Sequence, residues 1–249
     1  MLKPVIEFDY RGLPVYNIMA ALGLLAALTV LLRREKALKI QADIEEKINT
    51  AAIAGCILAL VCANAANWFL FYPESFRRPL PERITSSGIS FYYGMFGFLA
   101  SFALILRLLK LDYKLWINEA IPPLLIFHAL GRVGCSLAGC CYGRELTPPV
   151  NILGISLRMF PAREIESICL FVMFFIFRFK LKRHRLPFYL LCYSVIRFAL
   201  EFGRGDSRGV FLIRALSPAQ TTSILVWVAL GVWLALCAAR STRVKREVR

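Results

Sequence analysis

The sequence predicts an all-α integral membrane protein, a bundle of seven transmembrane helices that forms one polytopic membrane domain over residues 1–249. The composition is the first reason: 58% of the residues are hydrophobic and the mean hydropathy is +0.61, too apolar for an ordinary soluble domain. The second reason is a series of apolar runs long enough to cross the ~30 Å hydrocarbon core as helices. The third is that the unusual polar motifs all lie at one end of those runs.

Seven apolar runs are interpreted as spans, and a bundle of six is the main alternative. They cover about residues 14–32, 49–71, 88–109, 117–138, 164–179, 186–203 and 219–239. The fifth run is short and needs to tilt or extend into its flanks. The fourth contains Pro122 and Pro123, which neighbouring helices accommodate inside a membrane bundle. No small-x-small cleavage site follows the first run, so we interpret it as a spanning helix rather than a signal peptide.

The formal charge of +15 follows the alternation of the loops. Of the 31 basic residues, 18 fall in alternate loops on one side, 11 fall on the other, and Arg132 and Arg197 lie inside spans. Because short cytoplasmic loops are enriched in Lys and Arg, this distribution places the N-terminus outside and the C-terminus in the cytoplasm. The charge therefore indicates topology, and the expected partner is anionic membrane lipid rather than nucleic acid.

The cysteines do not predict a disulfide framework. Five of the eight lie within apolar runs, where a thiol behaves as a small hydrophobe. Cys135, Cys140 and Cys141, with His128 upstream, fit no zinc-ribbon or zinc-finger spacing, so a packed thiol cluster or a disulfide is favoured over a metal site. No neighbouring His or Lys is present to activate Cys135 or Cys140. Replacing the three cysteines by Ser or Ala is therefore expected to leave most activity.

Arg132 and Arg197 are the strongest single signals, because an arginine inside a span costs ~3 kcal/mol or more and usually faces a partner or a cavity. The alternative is that each reaches the interface and anchors its helix. Arg197, Glu201 and Arg204 are spaced by four and three residues and so share one helical face. Guanidinium groups suit phosphate oxygens, although a self-satisfied Arg–Glu–Arg ladder would use the same spacing.

Smaller signals accompany the arginines. Gly131, Gly134 and Gly143 allow close backbone approach, either to a neighbouring helix or to a lipid headgroup. Glu164 and Glu166 open the fifth span, where negative charge complements the helix dipole. Tyr92 opens the third span, where an aromatic anchor at the interface is the alternative to a functional role.

Four segments and the entry to the last helix resemble the prolipoprotein diacylglyceryl transferase family. The similar segments are residues 90–94 (SFYYG), 131–143 (GRVGCSLAGCCYG), 161–166 (PAREIE), 193–204 (YSVIRFALEFGR) and 217–220 (SPAQ). They follow the family's order from about residue 86 to residue 223. Cys135, Ala138 and Cys140 depart from its usual polar residues, which identifies a divergent, cysteine-rich member. The seven-span, N-out topology is also the family's.

The resemblance implies an enzyme of the bacterial cytoplasmic membrane. It moves a diacylglyceryl group from phosphatidylglycerol to the lipobox cysteine thiol of a prolipoprotein. The implied catalytic residues are Arg132, Arg197, Glu201 and Tyr92, and the implied substrate-binding residues are Arg204, Gly94, Gly131, Gly134, Gly143 and Glu166. No metal and no organic cofactor are expected.

Other functions remain open at this stage. One is a paralogue of the same fold that transfers a lipid or headgroup to another acceptor. Another is a small anion transporter or channel lined by Arg132 and Arg197, although transporters place charge near the midplane and usually contain repeats. A structural membrane anchor is the last alternative, and it gives no reason for arginines inside spans.

Overall fold

The computed structural model describes residues 14–71, 77, 79, 90–152, 155–206, 211–213 and 215–247. These residues form seven helices and one β-hairpin. The helices are α1 (Val15–Leu38), α2 (Ala42–Ala66, continued by the π-helical turn Asn67–Phe71), α3 (Phe91–Leu108), α4 (Tyr113–Leu137), α5 (Ala162–Phe175, continued by the π-helical turn Ile176–Lys180), α6 (Arg185–Glu201) and α7 (Pro218–Glu247). Each predicted apolar run is helical, which confirms the all-α class.

Five of the described helices are long and apolar enough to cross a membrane. These are α1, α2 with its π-helical turn, α3, α4 and the Pro218–Arg240 part of α7. Their outward faces carry large apolar side chains that are more than half exposed, such as Leu25, Ile53 and Val228. Such surfaces are stable against lipid and not against water. The protein is therefore a multi-pass membrane protein.

Helix α4 lies at the centre of the bundle. It packs against α1 and α5 most extensively, and against α3 and α6 as well. Ile121, Leu125 and Ala129 are fully buried in the main apolar cluster, together with residues of α3, α5 and α6. Pro122 and Pro123 are also buried inside this helix. Because α4 packs against four other helices, side chains at both of its ends are buried in the interior of the protein.

Two helix starts are fixed by side-chain hydrogen bonds. In α7, the Ser217 hydroxyl accepts from the Gln220 amide at 3.2 Å and the Gln220 side chain accepts from the Ser217 amide at 3.1 Å, a capping box. In α6, Asn118 of α4 accepts from the Arg185 amide at 2.7 Å and donates to the Lys182 carbonyl at 2.9 Å. The second contact joins the start of α6 to α4.

A two-stranded antiparallel hairpin connects α4 to α5 and was not predicted from the sequence. Strand β1 (Glu145–Ile152) pairs with β2 (Ile155–Met159), with an irregular register between Glu145 and Val150. Pro148 and Pro149 lie within β1, although proline cannot donate to a strand ladder. A two-stranded ribbon tolerates them, since its outer edges need no partner.

Candidate active site

Glu166 of α5 lies at the centre of a buried polar group between α4, α5 and α6. Its side chain is fully buried, and its Oε1 lies 3.0 Å from Nη2 of Arg132 on α4. Its Oε2 lies 3.9 Å from Nη1 of Arg197 on α6. The Tyr193 hydroxyl, also on α6, donates to Oε1 at 3.2 Å. We call Glu166, Arg132, Arg197, Tyr193 and His128 the Glu166 cluster.

Helical spacing explains how this cluster forms. Tyr193 and Arg197 are four residues apart on α6, and His128 and Arg132 are four apart on α4, so each pair shares one face of its helix. Glu166 faces both pairs from the first turns of α5. A buried carboxylate is stabilised by ion pairs and hydrogen bonds. Here Arg132 and Tyr193 contact Oε1, and Arg197 lies 3.9 Å from Oε2. Glu166 was predicted as a substrate-binding residue, and its central position was not predicted.

His128 is a member of the cluster that sequence reasoning weighed only as a metal ligand. Its Nε2 lies 3.8 Å from Glu166 Oε1, and its ring stacks on Phe91 with 3.4 Å between ring centroids. Within the described part of the chain, neither ring nitrogen makes a hydrogen bond. Its position four residues before Arg132 was the signal available in the sequence.

Arg197 and Glu201 share a face of α6 as predicted, whereas Arg204 follows the end of that helix, and the Glu201 carboxylate lies between the two arginines. Arg197 Nη2 lies 2.7 Å from Glu201 Oε2, and Arg204 Nε lies 4.0 Å from the same oxygen. Arg204 also makes a two-pronged pair with Asp206, with hydrogen bonds of 2.9 Å from Nε and from Nη2. Burial lowers the pKa of Arg204, but the hydrogen bond and charge of Asp206 outweigh it and raise that pKa above its ordinary value. Arg204 is therefore firmly charged.

Several guanidinium nitrogens in this region are buried and lack a hydrogen-bond acceptor among the described residues. They are Arg132 Nε, Arg197 Nη1, Arg197 Nη2 and Arg204 Nη1. The 2.7 Å contact of Arg197 with Glu201 is a charge contact without hydrogen-bond geometry. An unsatisfied buried donor costs about 1–3 kcal/mol, and more for charged groups. Arg197 has the carboxylates of Glu201 and Glu166 within 4 Å, so the nitrogens that most need an acceptor from a ligand are Arg132 Nε and Arg204 Nη1. Arginine donors of this kind match the oxygens of a phosphate.

Tyr92 packs beside the cluster but bonds elsewhere. Its hydroxyl lies 2.9 Å from the Ser223 hydroxyl of α7, and its ring centroid lies 5.1 Å from that of Tyr193. Because Ser223 donates to the Ala219 carbonyl, Tyr92 is the donor in this bond. Tyr193, rather than Tyr92, contacts Glu166. A headgroup contact for Tyr92 stays a prediction.

The four predicted glycines fall into two groups. An added Cβ would press on Ala63 and Ala59 of α2 at Gly94, on Met19 of α1 at Gly134, and on Phe160 at Gly143. These three allow close packing of neighbouring backbone and side chains. At Gly131 an added Cβ would meet nothing within 4 Å. Among the four, only Gly131 has open space beside it, and substrate contact for all of them stays a prediction.

The end of α4 brings three thiols together, where a packed thiol cluster or a disulfide was expected. The sulfurs of Cys135, Cys140 and Cys141 all lie within 4.8 Å of one another. Gly139 and Cys141 both have positive φ, which folds the chain back after the helix. Hydrogen bonding with Cys135 and Cys141, together with burial, raises the pKa of the Cys140 thiol.

Arg163 holds this cysteine turn and was missed as a site residue. Its Nη1 donates to the Cys140 carbonyl at 2.8 Å and to the Cys135 carbonyl at 3.3 Å, and the side chain is buried. In the sequence, Arg163 is one of the 11 basic residues on the outer side. Its place in the first turn of α5, three residues before Glu166, joins the cysteine turn to the Glu166 cluster.

The turn is also tied to the end of α6 through the backbone. Gly143 pairs with Arg204 as an isolated β-bridge, and the Gly205 amide donates to the Tyr142 carbonyl at 3.2 Å. Cys141 lies near enough to Arg132 and to Arg204 for their charges to interact. The thiols and the arginines therefore form one continuous polar region.

These features define a multi-pass membrane protein with an arginine–carboxylate site buried between its helices and a thiol group beside it. The prolipoprotein diacylglyceryl transferase family model matches residues 5–237, and the chain belongs to that family. The resemblance seen in the motifs is thereby confirmed.

Curated relatives match along most of their length. The chain is 27% identical over 247 residues to the phosphatidylglycerol–prolipoprotein diacylglyceryl transferase of Clostridium tetani, covering 94% of this chain and 96% of that protein. It is 27% identical to phosphatidylglycerol–prolipoprotein diacylglyceryl transferase 2 of Clostridium perfringens, covering 87% of this chain and 89% of that protein. For the Dehalococcoides mccartyi transferase of the same name, the identity is 26%, with 87% and 86% covered.

Proposed function

We propose that this protein transfers a diacylglyceryl group from phosphatidylglycerol to the lipobox cysteine thiol of a prolipoprotein, at the outer leaflet of the bacterial cytoplasmic membrane. Family membership and the names of the relatives support the two substrates. The observation that carries the site assignment is the set of buried arginine donors around Glu166 that lack an acceptor among the described residues.

The reaction needs no nucleophile from the protein. The acceptor's sulfur attacks the glyceryl carbon and forms a C–S bond. The C–O bond to the phosphate breaks, and its electron pair stays on the phosphate oxygen, so glycerol phosphate leaves. The protein has to position two lipid-anchored substrates, stabilise charge on the leaving phosphate, and provide a path for the thiol proton.

The arginines stabilise the charge on the leaving phosphate. Arg132 and Arg197 approach the shared carboxylate of Glu166 from two helices, so the carboxylate holds their forks at a fixed separation. Their remaining N–H groups are directed to the phosphate. Glu201 orients Arg197, and Arg204 supplies a further donor at the end of α6. Tyr92 contacts the headgroup in this proposal, and Gly131 leaves room for it.

The proposed topology is seven spans with the N-terminus outside. Five helices meet the length and apolarity of a span, and the proposal adds α5 and α6, which contain 14 and 17 residues. Both pack against α4, whose own length crosses a bilayer, and both carry the polar site. Reporter fusions after residue 40 and after residue 183 are expected to be cytoplasmic. An external signal from either one contradicts this topology.

Purified enzyme in phosphatidylglycerol vesicles tests the activity. With a lipobox peptide, we expect a peptide mass increase equal to one diacylglyceryl group and release of glycerol phosphate. The same peptide with serine in place of cysteine is the control and should remain unmodified. Release of glycerol phosphate without a peptide mass increase would support phosphatidylglycerol as the donor and contradict the lipobox cysteine as the acceptor.

A further inference from the structure

The three thiols at the end of α4 have the separation of a soft-metal site. Zn–S bonds of about 2.3 Å in tetrahedral geometry place sulfurs about 3.8 Å apart. The sulfurs of Cys135, Cys140 and Cys141 lie within 4.8 Å of one another, so small side-chain rotations close the site. Sequence spacing failed to indicate this arrangement, because the turn at Gly139 and Cys141 brings together residues that match no known ligand pattern.

The protein framework holds these ligands in place. Cys135 is buried at the end of α4, Cys141 is half-buried, and Cys140 is exposed, so the group has both a rigid base and a path of entry. Arg163 fixes the carbonyls of Cys135 and Cys140 from the start of α5. Hydrogen bonds around ligands in this way commonly increase metal affinity.

The charges also suit a divalent cation. Zn²⁺ displaces thiol protons when it binds, and three thiolates with one Zn²⁺ carry a net charge of −1. Arg132 and Arg204 lie near enough to interact electrostatically with that charge. The arginines therefore favour the loaded site and disfavour a bare cation.

We propose that Cys135, Cys140 and Cys141 bind Zn²⁺ and that the fourth coordination position takes the thiol of the acceptor. The metal site stands on the geometry alone, and the identity of the fourth ligand rests on the proposed function. Zinc sites with three protein ligands and one open position are the catalytic kind, and a thiol bound to zinc is deprotonated. This replaces the expectation from spacing that these cysteines can be exchanged with most activity retained.

The step balances without another reactant. On coordination, the acceptor's S–H bond breaks and its proton passes to solvent. The zinc-bound sulfur forms a bond to the glyceryl carbon while the C–O bond to the phosphate breaks. The electron pair remains on the leaving phosphate beside Arg132 and Arg204. The product thioether is a neutral, weak ligand, so it leaves the metal.

Cobalt binding to the purified full-length protein tests the metal site independently of activity. We expect the enzyme, reduced with a phosphine in lipid nanodiscs, to bind one equivalent of Co²⁺ and to show a sulfur-to-cobalt charge-transfer band that Zn²⁺ abolishes. Cys140→Ser and Cys141→Ser should lose most of the band. Cys237→Ser is the matched control, because this exposed cysteine lies in α7 away from the cluster, and it should retain the band.

Loss of folding is separated from loss of ligation by size-exclusion elution of each variant. Absence of the band in the reduced, folded protein overturns the site. Its retention in the folded variant with all three cysteines replaced by serine also overturns it.

The fourth position is tested in the same cobalt protein without phosphatidylglycerol. A lipobox peptide should shift the visible absorption bands, and its cysteine-to-serine counterpart should leave them unchanged. An unchanged spectrum with the cysteine peptide overturns the fourth-ligand assignment. If β-mercaptoethanol shifts the bands and the peptide does not, the site binds thiols and the failure belongs to the proposed acceptor.

Discussion

Two buried carboxylates, Glu119 and Glu166, pair with arginines at opposite ends of α4, and their surroundings differ. Glu119 accepts from Arg34 at 2.9 Å and 3.1 Å and from Arg185 at 2.6 Å, so both of its oxygens receive hydrogen bonds. We call these three residues the Glu119 cluster. Glu166 contacts Arg132, which lies 13 positions and therefore about 20 Å further along α4 than Glu119. Around Glu166, guanidinium N–H groups of Arg132 and Arg197 make no hydrogen bond within the described part of the chain.

The difference indicates a division of roles between structure and chemistry. In the Glu119 cluster, Glu119 of α4 joins Arg34 of α1 to Arg185 of α6, and the neighbouring Asn118 accepts from the Arg185 amide. In the Glu166 cluster, Arg132 and Arg197 keep buried N–H groups for which the described residues supply no acceptor. A satisfied buried network stabilises the fold, whereas a partly satisfied one is costly unless a ligand completes it.

Glu119→Ala should have the largest effect, and that effect should be on stability. It leaves the buried Arg185 and the half-buried Arg34 without their shared partner, which costs about 3–5 kcal/mol. We expect a lower apparent melting temperature and lower yield, with transfer per folded molecule nearly unchanged. Fluorescence-detected size exclusion after heating and an activity assay on the folded fraction measure the two quantities. Strongly reduced turnover in the folded fraction would show that Glu119 also serves the reaction, which contradicts the contrast between the Glu119 cluster and the Glu166 cluster.

Arg132→Lys and Arg197→Lys should show the reverse pattern. A planar fork holds two phosphate oxygens where an ammonium holds one, so charge alone does not preserve the contact. We expect a loss of about 10²-fold in transfer, by analogy with the removal of one transition-state donor, and a larger loss for alanine. Membrane insertion should persist. Arg34→Lys in the Glu119 cluster is the matched control, and full turnover in Arg132→Lys would make Arg132 an anchor.

The helices could be predicted from the sequence, because each apolar run reports its own length and face. Which helix faces pack against one another could not be predicted. Glu166 was interpretable as a complement to the helix dipole, and only the packing of α5 between α4 and α6 reveals its central place. Arg163 was interpretable as a loop arginine because nothing in its neighbourhood marks the carbonyls that it contacts. The cysteine cluster depends on backbone conformation at Gly139 and Cys141, which residue spacing does not encode.

Arg163→Met should weaken metal binding at the thiols while sparing the Glu119 cluster. Removing a hydrogen-bonding partner that orients ligands typically costs about 10–100-fold in metal affinity. Arg163 is a positioning residue here, since it contacts the carbonyls of Cys135 and Cys140 and not their sulfurs. Competition of the Co²⁺ complex with a chelator measures the affinity. Partial recovery of the Co²⁺ affinity in Arg163→Lys, which retains one donor, separates positioning from a general loss of folding. A Co²⁺ affinity in Arg163→Met equal to that of the unmodified protein contradicts the positioning role.

Tyr92→Phe should have the smallest effect, and it decides whether Tyr92 binds the headgroup or only packs between helices. Its hydroxyl donates to Ser223, so removing it loses one hydrogen bond worth about 0.5–1.5 kcal/mol. Since Tyr92 is assigned to the headgroup, we expect the KM for phosphatidylglycerol to rise beyond that small loss of stability. Tyr93→Phe is the matched control, because it removes the neighbouring hydroxyl, which lies 3.5 Å from Thr222. If both variants lower stability alone and leave KM unchanged, Tyr92 is a packing residue, and binding of the headgroup falls to the arginines.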